Sequence, residues 1–432
     1  MWNRLSLVTG SLAVGILLTS SFCLLGQEQV PPAGRSWALV GGTVYVSPTE
    51  PPIKDGVIVV RGSSIAAVGR KGSVQLPADI EKFDCSGLTI TAGFWNSHVH
   101  FVQRKWADVQ TIPPAELSQQ MQDMITRWGF TSVFDIGSAW ENTRRLRDRV
   151  ESGEIPGPRI RSTGEILFPK GGAPEPRILD VIGAMRIQFP EVKEPSEASA
   201  AARKLLDAGT DGIKVYAASL SWPRVLMPQD AIEAAAREAH ARGKPVFAHP
   251  QTRDGLMAAV NGGVDIVAHS IPEAGQLDEA TIALMKSKGI AVIPTLKLFR
   301  YELRNDRASE REQFVKAAVD QVRAWVAAGG SVLFGTDVGY MDDYDTTEEY
   351  ELMAQAGMDA RQILASLTTA PAERFGDSKR VGRLQPGFAA DLVVLDKDPS
   401  EDVRAFAGVR YTIRDGKVIY KASTAGPAAR FH

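Results

Sequence analysis

Residues 245–269 read PVFAHPQTRDGLMAAVNGGVDIVAH, and they contain the repeating unit of the predicted fold. Two short apolar runs, 245–248 and 265–268, are each followed directly by a histidine, His249 and His269. Apolar runs of this length predict buried β-strands. Strands that alternate with helical segments pair in parallel through helical crossovers. The stretch therefore predicts two neighbouring parallel strands, each with a histidine at its carboxyl end.

The same alternation of strand and helix extends over residues 91–375. The candidate strands number eight, and they are 88–91, 131–134, 159–160, 212–215, 245–248, 265–268, 290–293 and 331–334. Helical periodicity lies between most of them, as in the stripe formed by Leu117, Met121, Met124, Ile125 and Trp128, which Gly129 ends, and again over 230–242. Eight such units favour a closed (β/α)8 TIM barrel over an open sheet, an α/β fold.

The two ends of the chain have a different pattern, with β-branched runs separated by glycine, proline and aspartate. The predicted strands are 37–40, 43–46, 56–60 and 64–68 at one end and 391–395, 409–413 and 417–420 at the other. Neither set is large enough for a core of its own. We therefore expect 37–90 and 376–422 to combine in one small β-sandwich beside the barrel.

Residues 1–26 have the pattern of a secretory signal peptide, with Arg4 before a mostly apolar run. The alternative is an uncleaved anchor, since about 20 apolar residues can just span a bilayer. Ser, Thr and Gly interrupt the run, which favours cleavage and a periplasmic or secreted protein without stable membrane association. Cleavage would leave Cys85 as the only cysteine, so no internal disulfide can form. The net charge of −2 argues against nucleic acid as a partner.

Four histidines and one aspartate follow predicted strands, and side chains at the carboxyl ends of barrel strands share one site. His98 and His100 lie two residues apart, so on an extended strand both imidazoles point to the same side. His249, His269 and Asp337 follow later strands. Histidine and carboxylate are ligands of divalent metals. One such histidine alone would more often be a core residue, but four at the same end favour a metal centre. Asp337 could also accept the proton of an activated water.

Lys214 occupies an equivalent strand end between apolar neighbours. A protonated amine beside a dication is electrostatically unfavourable. A lysine carboxylated by CO2 would instead be an anionic bridge between two metal ions. The alternative is an ordinary salt-bridged lysine, but its position favours the carbamate. We therefore expect two divalent metal ions, with zinc expected, although Mn, Co or Fe would suit the same ligands.

These motifs together resemble the amidohydrolase superfamily, in particular its imidazolonepropionase-like and Xaa-Pro dipeptidase-like branch. The similarity runs from about 38 to 422, and the motifs that carry it are TAGFWNSHVH (91–100), GIK (212–214), FAH (247–249), VAH (267–269), GTD (335–337), GRLQPG (382–387) and ADLVVL (390–395). The superfamily signature usually has proline where Ala92 stands and aspartate where Asn96 stands. Neither residue is a ligand, but the surroundings of His98 are thereby less certain.

The resemblance implies a role for each motif residue. His98, His100 and Asp337 would hold the first metal, and His249 and His269 the second, with carboxylated Lys214 bridging. A bridging hydroxide would attack an amide or ester carbonyl, with Asp337 as the general base. Four residues that follow strands are expected to bind substrate, and they are Tyr216, Lys297, Arg300 and Tyr301. The last three are candidates for binding a substrate carboxylate. A solvated loop is an equally good interpretation of the three around 297–301.

The predicted function is hydrolysis of dipeptides or N-acyl amino acids. One alternative is a mononuclear cyclic-amide hydrolase of the imidazolonepropionase type, which needs no bridging lysine. A deaminase of the same fold is disfavoured because Pro250, Gln251 and Thr252 follow His249, where such enzymes usually carry a glutamate three residues on. A non-catalytic scaffold should have lost ligands, and none of the six is missing. The expected partner is a small-molecule or dipeptide substrate, and a homo-oligomer is left open.

Overall fold

The computed structural model describes residues 36–174, 187–220 and 222–423. Strands from both ends of the chain form one eight-stranded sheet. These strands are β1 (Ser36–Val44), β2 (Ile53–Arg61), β3 (Ser64–Arg70), β4 (Glu81–Asp84), β5 (Thr89–Ala92), β16 (Leu392–Leu395), β17 (Val409–Arg414) and β18 (Lys417–Lys421). Their order is β18-β17-β16-β5-β1-β2-β3, with β4 paired to β1. Both ends of the chain thus contribute strands to one sheet, while the small β-sandwich of 37–90 and 376–422 stays a prediction.

Strand β16 shows why its sequence is apolar without alternation. Leu392 and Val394 pack in the core of the terminal sheet together with Trp37 and Ile58. The residues between and after them, Val393 and Leu395, belong to the large core of the middle segment. Because side chains alternate across a strand, β16 is buried on both faces.

Eight further strands, all paired in parallel, position the predicted site. They are β6 (Phe94–Val99), β7 (Phe130–Asp135), β8 (Arg159–Ser162), β11 (Ile213–Tyr216), β12 (Val246–His249), β13 (Ile266–Ala268), β14 (Ala291–Ile293) and β15 (Ser331–Val332). Strands β6-β7-β8 form one sheet and β11-β12-β13-β14-β15 another. Single parallel bridges, Val99 to Val338 and Leu167 to Val215, link the two sheets at both edges. A short unpredicted pair, β9 (Phe168–Pro169) and β10 (Glu191–Val192), lies in the loop after β8.

Two strand predictions are wrong in detail. The predicted strands 37–40 and 43–46 are one strand, β1, with register shifts around Gly42. The run 88–91, expected to be the first barrel strand, is β5 of the terminal sheet, between β1 and β16. The strand that carries His98 begins after Gly93, where a Cβ would overlap the Thr131 side chain. The chain passes directly from one sheet to the other at this glycine.

The helices lie mostly between the parallel strands, which gives a TIM-barrel-like α/β fold. They are α1 (Pro114–Met124), α2 (Trp140–Glu151), α3 (Pro195–Asp207), α4 (Gln229–His240), α5 (Arg253–Asn261), α6 (Glu279–Ser287), α7 (Leu296–Glu302), α8 (Ala308–Ala327), α9 (Thr347–Gln355), α10 (Ala360–Leu367) and α11 (Thr369–Arg374). Short 3-10 turns occupy Arg104–Trp106, Thr126–Trp128, Pro272–Ala274 and Val403–Ala407. In α1, Leu117, Met121 and Met124 are buried, and Gly129 ends the following turn at φ +86°, as predicted.

The terminal sheet is joined to the parallel strands by buried polar contacts. Arg159 of β8 pairs with Asp391 and Asp415, which flank β16 and β17. Thr412 in β17 donates to the carbonyl of Thr126, at 2.6 Å. Both contacts are largely shielded from solvent, so they fix the sheet against the middle segment more firmly than exposed pairs would.

The predicted signal peptide, residues 1–26, lies outside the described residues. Within the described ranges no helix is long and apolar enough to cross a bilayer. Cys85 is a buried free thiol, and burial raises its pKa to about 12. Cys85 therefore packs as an apolar residue, because a nucleophilic cysteine needs a lowered pKa.

Candidate metal centre

The six predicted ligands lie at the carboxyl ends of five parallel strands. His98 is in β6 and His100 follows it, Lys214 is in β11, His249 ends β12, His269 follows β13, and Asp337 comes after β15. All six line one cavity of about 110 Å³. The structure therefore brings together every metal ligand that the sequence predicted.

His98, His100 and Asp337 converge most closely. The two Nε2 atoms are 3.2 Å apart, and they lie 3.3 and 3.0 Å from Oδ1 of Asp337. Their candidate ligand atoms all fall within 4.8 Å of one another. Two imidazole nitrogens directed at one carboxylate oxygen are a suitable donor set for a divalent cation.

Hydrogen bonds at the far side of two rings select the tautomer that a metal needs. Nδ1 of His100 lies 2.8 Å from the carbonyl oxygen of Gly137, which can only accept, so this nitrogen carries the proton. Nδ1 of His269 lies 2.7 Å from Thr295 Oγ1. That hydroxyl donates its single proton to the Pro294 carbonyl, so it accepts from the ring. Nε2 of both rings is left with a free lone pair.

His249 differs from these two rings, because its Nδ1 and not its Nε2 is free to bind a metal. Its Nε2 lies 2.7 Å from Gln251 Oε1, an acceptor, whereas Nδ1 is buried without a hydrogen-bond partner in the described part of the chain. The ring stacks on Tyr216, with centroids 4.2 Å apart and planes 7° apart. His269 packs against it at 4.5 Å, so these two imidazoles form a second group of donors.

Burial keeps most of these imidazoles neutral. It lowers the pKa of His98 to about 4 and that of His249 to about 3, and it holds the pKa of His269 well below its ordinary value. His100 is the exception, because Asp337 outweighs burial and raises its pKa. Burial alone would raise the pKa of Asp337, but the neighbouring histidines hold it well below its usual range. Neutral imidazoles and an ionised carboxylate are the forms that bind a cation.

Lys214 is buried to 1% exposure, and among the described residues no carboxylate pairs with it. Burial lowers the pKa of its amine to about 7. Its Nζ lies over the face of the Tyr216 ring, 6.0 Å from the ring centroid. A lysine in a salt bridge, the alternative interpretation of the sequence, would have had an acidic partner here.

Asn96 connects β6 to the loop that carries Asp337. Its Nδ2 donates to Thr336 Oγ1 at 2.7 Å, and its Oδ1 accepts from the backbone N–H of His98 at 3.2 Å. An uncharged amide makes both bonds at once, because one end donates and the other accepts. The departure from the signature at position 96 thus leaves His98 anchored.

Backbone strain is concentrated at the same strand ends. The φ values of His269, Asp337 and Thr295 are +74°, +63° and +44°. Residues other than glycine rarely adopt this left-handed region. Such strain persists where the surrounding structure imposes it, and it is typical of functional sites. Here it directs the side chains of two predicted ligands and of the residue that orients one of them.

Of the four residues expected to bind substrate, Tyr216 alone lines the cavity. Lys297 pairs with Asp343 at 2.8 Å, Arg300 pairs with Glu348 and Glu312, and the Tyr301 hydroxyl donates to Asp342 at 2.8 Å. These three residues therefore attach α7 to the start of α9, to the loop before α9 and to α8. The structure does not bring them to the site.

Sequence reasoning missed the residues of α7 that do reach the cavity, Leu298 and Glu302. They are four positions apart and so share a helix face. Tyr340, three residues after Asp337, was missed as well, although its closeness to a predicted ligand was a usable signal. Apolar side chains complete the lining, and they include Val102, Ile166, Phe168, Phe189 and Leu220.

Comparison with known proteins agrees with this geometry. The sequence profile described as "Amidohydrolase family" matches residues 89–419. The chain is similar to ochratoxinase of Aspergillus niger, with 24% identity over 425 residues that cover 87% of this chain and 85% of the relative. It is also similar to imidazolonepropionase of Porphyromonas gingivalis, with 25% identity over 206 residues, 42% of this chain and 45% of that one.

Among solved structures, a Xaa-Pro dipeptidase with bound methionine in its active site superimposes with a TM-score of 0.76. The match covers 90% of this chain and 100% of that one at 23% identity, which establishes a shared fold. The resemblance drawn from the sequence motifs, to this superfamily and branch, is thereby confirmed.

Proposed function

The chain belongs to the amidohydrolase family and acts on carbon–nitrogen bonds, and from that premise we propose that it is a metal-dependent hydrolase of dipeptides or N-acyl amino acids. One observation carries the proposal, namely that six side chains from five strand ends meet in one cavity. Folding alone gives no reason to bury four histidines, a lysine and an aspartate together.

The donor set fits two divalent cations. His98, His100 and Asp337 would hold the first, and His249 and His269 the second, with Lys214 as a carbamate between them. Free lone pairs on Nε2 of His100, Nε2 of His269 and Nδ1 of His249 support this assignment. Zinc is the ion proposed, because histidine nitrogen with carboxylate oxygen is a common zinc environment.

Lys214 supports the two-metal form over a mononuclear centre. Its side chain is buried among the other candidate ligands and pairs with no acidic residue of the described chain. Carboxylation by CO2 would turn an unpaired amine into an anion that two cations can share. The buried position would then be electrostatically balanced rather than costly.

Bound metals would polarise the scissile carbonyl and lower the pKa of a water nucleophile. Asp337, which is ionised, would accept the proton of that water and pass it to the leaving amine. Tyr216 lies over His249 and limits how far its ring can turn. The apolar lining would exclude bulk water and strengthen the electrostatic interactions inside the cavity.

Three structural expectations are part of the proposal. The parallel bridges at both edges of the two sheets support closure of the eight strands into a barrel spanning about 91–375. The terminal sheet supports a separate small β-sandwich from 37–90 and 376–422. Export by a signal peptide over 1–26 rests on the sequence pattern alone.

The test is metal analysis followed by substrate screening. Protein purified with bicarbonate should contain two metal ions per chain, and chelation should abolish hydrolysis that added zinc restores. The metal-loaded protein should then hydrolyse members of a library of dipeptides and N-acyl amino acids. A metal content clearly below two, or activity that resists chelation, would contradict the proposal.

A further inference from the structure

The cavity contains one charged group that metal binding does not use. Among its described lining residues the charged side chains, apart from the histidines, are Lys214, Asp337 and Glu302. The first two are proposed metal ligands. Glu302 is therefore the acidic group in this lining that remains for a substrate.

Helix geometry explains why Glu302 faces the cavity while its cationic neighbours do not. Lys297 and Arg300 are paired with acids outside the cavity, on the far side of α7. Leu298 and Glu302, one turn apart, face the cavity. The charge that this helix presents to a bound molecule is thus negative.

The surroundings leave the Glu302 carboxyl with unused capacity. Its contact is with Tyr340, whose hydroxyl donates to one carboxyl oxygen at 3.1 Å. No cation of the described chain forms a salt bridge with Glu302, and the Arg304 guanidinium acts on it only from beyond that distance. The side chain still reaches solvent at the mouth, while the protein packed around its carboxyl raises its pKa to about 7. Coulombic repulsion from Asp337 acts in the same direction.

An aromatic wall lies across the same cavity. Phe168 stacks on Tyr216 with centroids 4.4 Å apart, and it meets Phe189 edge-on at 5.3 Å. Tyr216 in turn stacks on the metal-ligand candidate His249. The wall therefore runs outward from the proposed reaction centre and offers an apolar surface to a side chain of the substrate.

We propose that Glu302 binds the free α-amino group of the substrate, so that the enzyme cleaves dipeptides with an apolar first residue in preference to N-acyl amino acids. This inference rests on the proposed hydrolase function and selects between its two substrate classes. The ammonium of a dipeptide would pair with Glu302, whereas the acyl group of an N-acyl amino acid has no α-amino group and would leave the carboxylate unpaired. The apolar side chain would contact Phe168 and Phe189.

The test compares phenylalanyl-leucine with N-(3-phenylpropanoyl)-leucine on zinc-loaded protein. The second compound is the N-acyl amino acid that differs from the dipeptide only by the missing α-amino group. We expect wild-type kcat/KM to be at least about tenfold higher for the free amine, as for loss of one charged contact. Glu302→Gln should lower kcat/KM for the dipeptide about 10- to 100-fold and change it less than about threefold for the N-acyl amino acid. Glu312→Gln, which removes a carboxylate that pairs with Arg300 away from the cavity, is the matched control and should change neither.

Binding provides a readout that does not need turnover. Calorimetry should show that phenylalanine amide binds wild-type protein at least about tenfold more tightly than 3-phenylpropanamide, which lacks only the amino group, and that Glu302→Gln removes the difference. Equal binding of both ligands, or a preference that survives in Glu302→Gln, would overturn the inference even if hydrolysis is found. If neither substrate is hydrolysed but the binding preference is intact, the proposed hydrolysis of dipeptides is overturned while the amine site stays supported.

Discussion

Replacing Thr295 by valine should weaken one of the two metal sites without changing any ligand. Valine has the shape of threonine and the same branch at Cβ, so the strain at φ +44° is unchanged. The change removes the oxygen that accepts the proton on His269 Nδ1 at 2.7 Å. The buried ring then keeps an unsatisfied N–H or moves its proton to Nε2, where it would block the metal.

The size of the effect follows from the hydrogen bond. His269 is 5% exposed and Thr295 is fully buried, so water cannot replace the lost acceptor. An unsatisfied buried donor costs about 1–3 kcal/mol, and about 1.4 kcal/mol corresponds to a tenfold change in an equilibrium constant. We therefore expect affinity for one zinc ion to fall about 10- to 100-fold, the range found when a ligand loses its supporting partner.

The assay is zinc competition against a chelator of known affinity, with Thr295→Ser as the control that keeps the hydroxyl. The serine variant should bind both zinc ions with affinities within about threefold of wild type. Thr295→Val should keep the wild-type affinity for one zinc ion and bind the other more weakly. Circular dichroism on both variants checks folding. Identical zinc binding by the valine and serine variants would refute the assignment of His269 as a ligand held in one tautomer by Thr295.

Three further changes test other parts of the structure. Lys214→Ala should reduce the metal content below two ions per chain and lower kcat/KM by more than about 100-fold. Addition of a short-chain carboxylate should restore part of the activity, and unchanged metal content would exclude a bridging carbamate. Burial raises the pKa of Glu349 from 4.5 to about 7, so the unfolded chain releases this proton first and Glu349 should lower the free energy of unfolding by up to about 3 kcal/mol between pH 4.5 and 7. Glu302 titrates in the same range, so denaturant titrations at pH 5 and 8 should show a fall in wild type that exceeds the fall in Glu349→Gln by about this amount; equal falls would contradict it. Gly339→Ala should destabilise the fold by at least about 3 kcal/mol, because a Cβ at φ +100° would overlap the His100 carbonyl. Gly357→Ala is the control, since φ is +91° there but nothing lies nearby, and it should lose only about 1 kcal/mol. Similar melting temperatures for the two variants would be inconsistent with the structure.

Much of the fold was predictable because its signals are local. Apolar runs of strand length recur with helices between them, and seven of the eight predicted barrel strands overlap parallel strands of the structure. The first, 88–91, was assigned to the wrong sheet. Its residues are as apolar and β-branched as those of a barrel strand, and β5 and β6 are separated by Gly93 alone. Which sheet accepts a strand depends on hydrogen-bonding partners far away in the chain, here β1 and β16.

The metal ligands were predictable for a related reason. Parallel strands align their carboxyl ends, so a histidine or aspartate just after each strand is brought to one edge whatever the details of the helices. Local spacing therefore sufficed to predict His98, His100, Lys214, His249, His269 and Asp337 as neighbours. The spacing could not reveal that His100, His249 and His269 donate hydrogen bonds to oxygens of Gly137, Gln251 and Thr295, which orient these three rings.

The substrate side of the cavity depended on long-range packing. Residues 297–302 contain two cations, a tyrosine and a glutamate, and their helical periodicity does not show which face meets the cavity. Glu349, buried in α9, accepts the first two backbone N–H groups of α7 at 2.9 and 2.8 Å and fixes how that helix begins. Asp342, Asp343 and Glu348 then bind Tyr301, Lys297 and Arg300 away from the cavity. Rotation of a helix about its axis is set by contacts with distant residues, and here those contacts leave Glu302 facing the cavity.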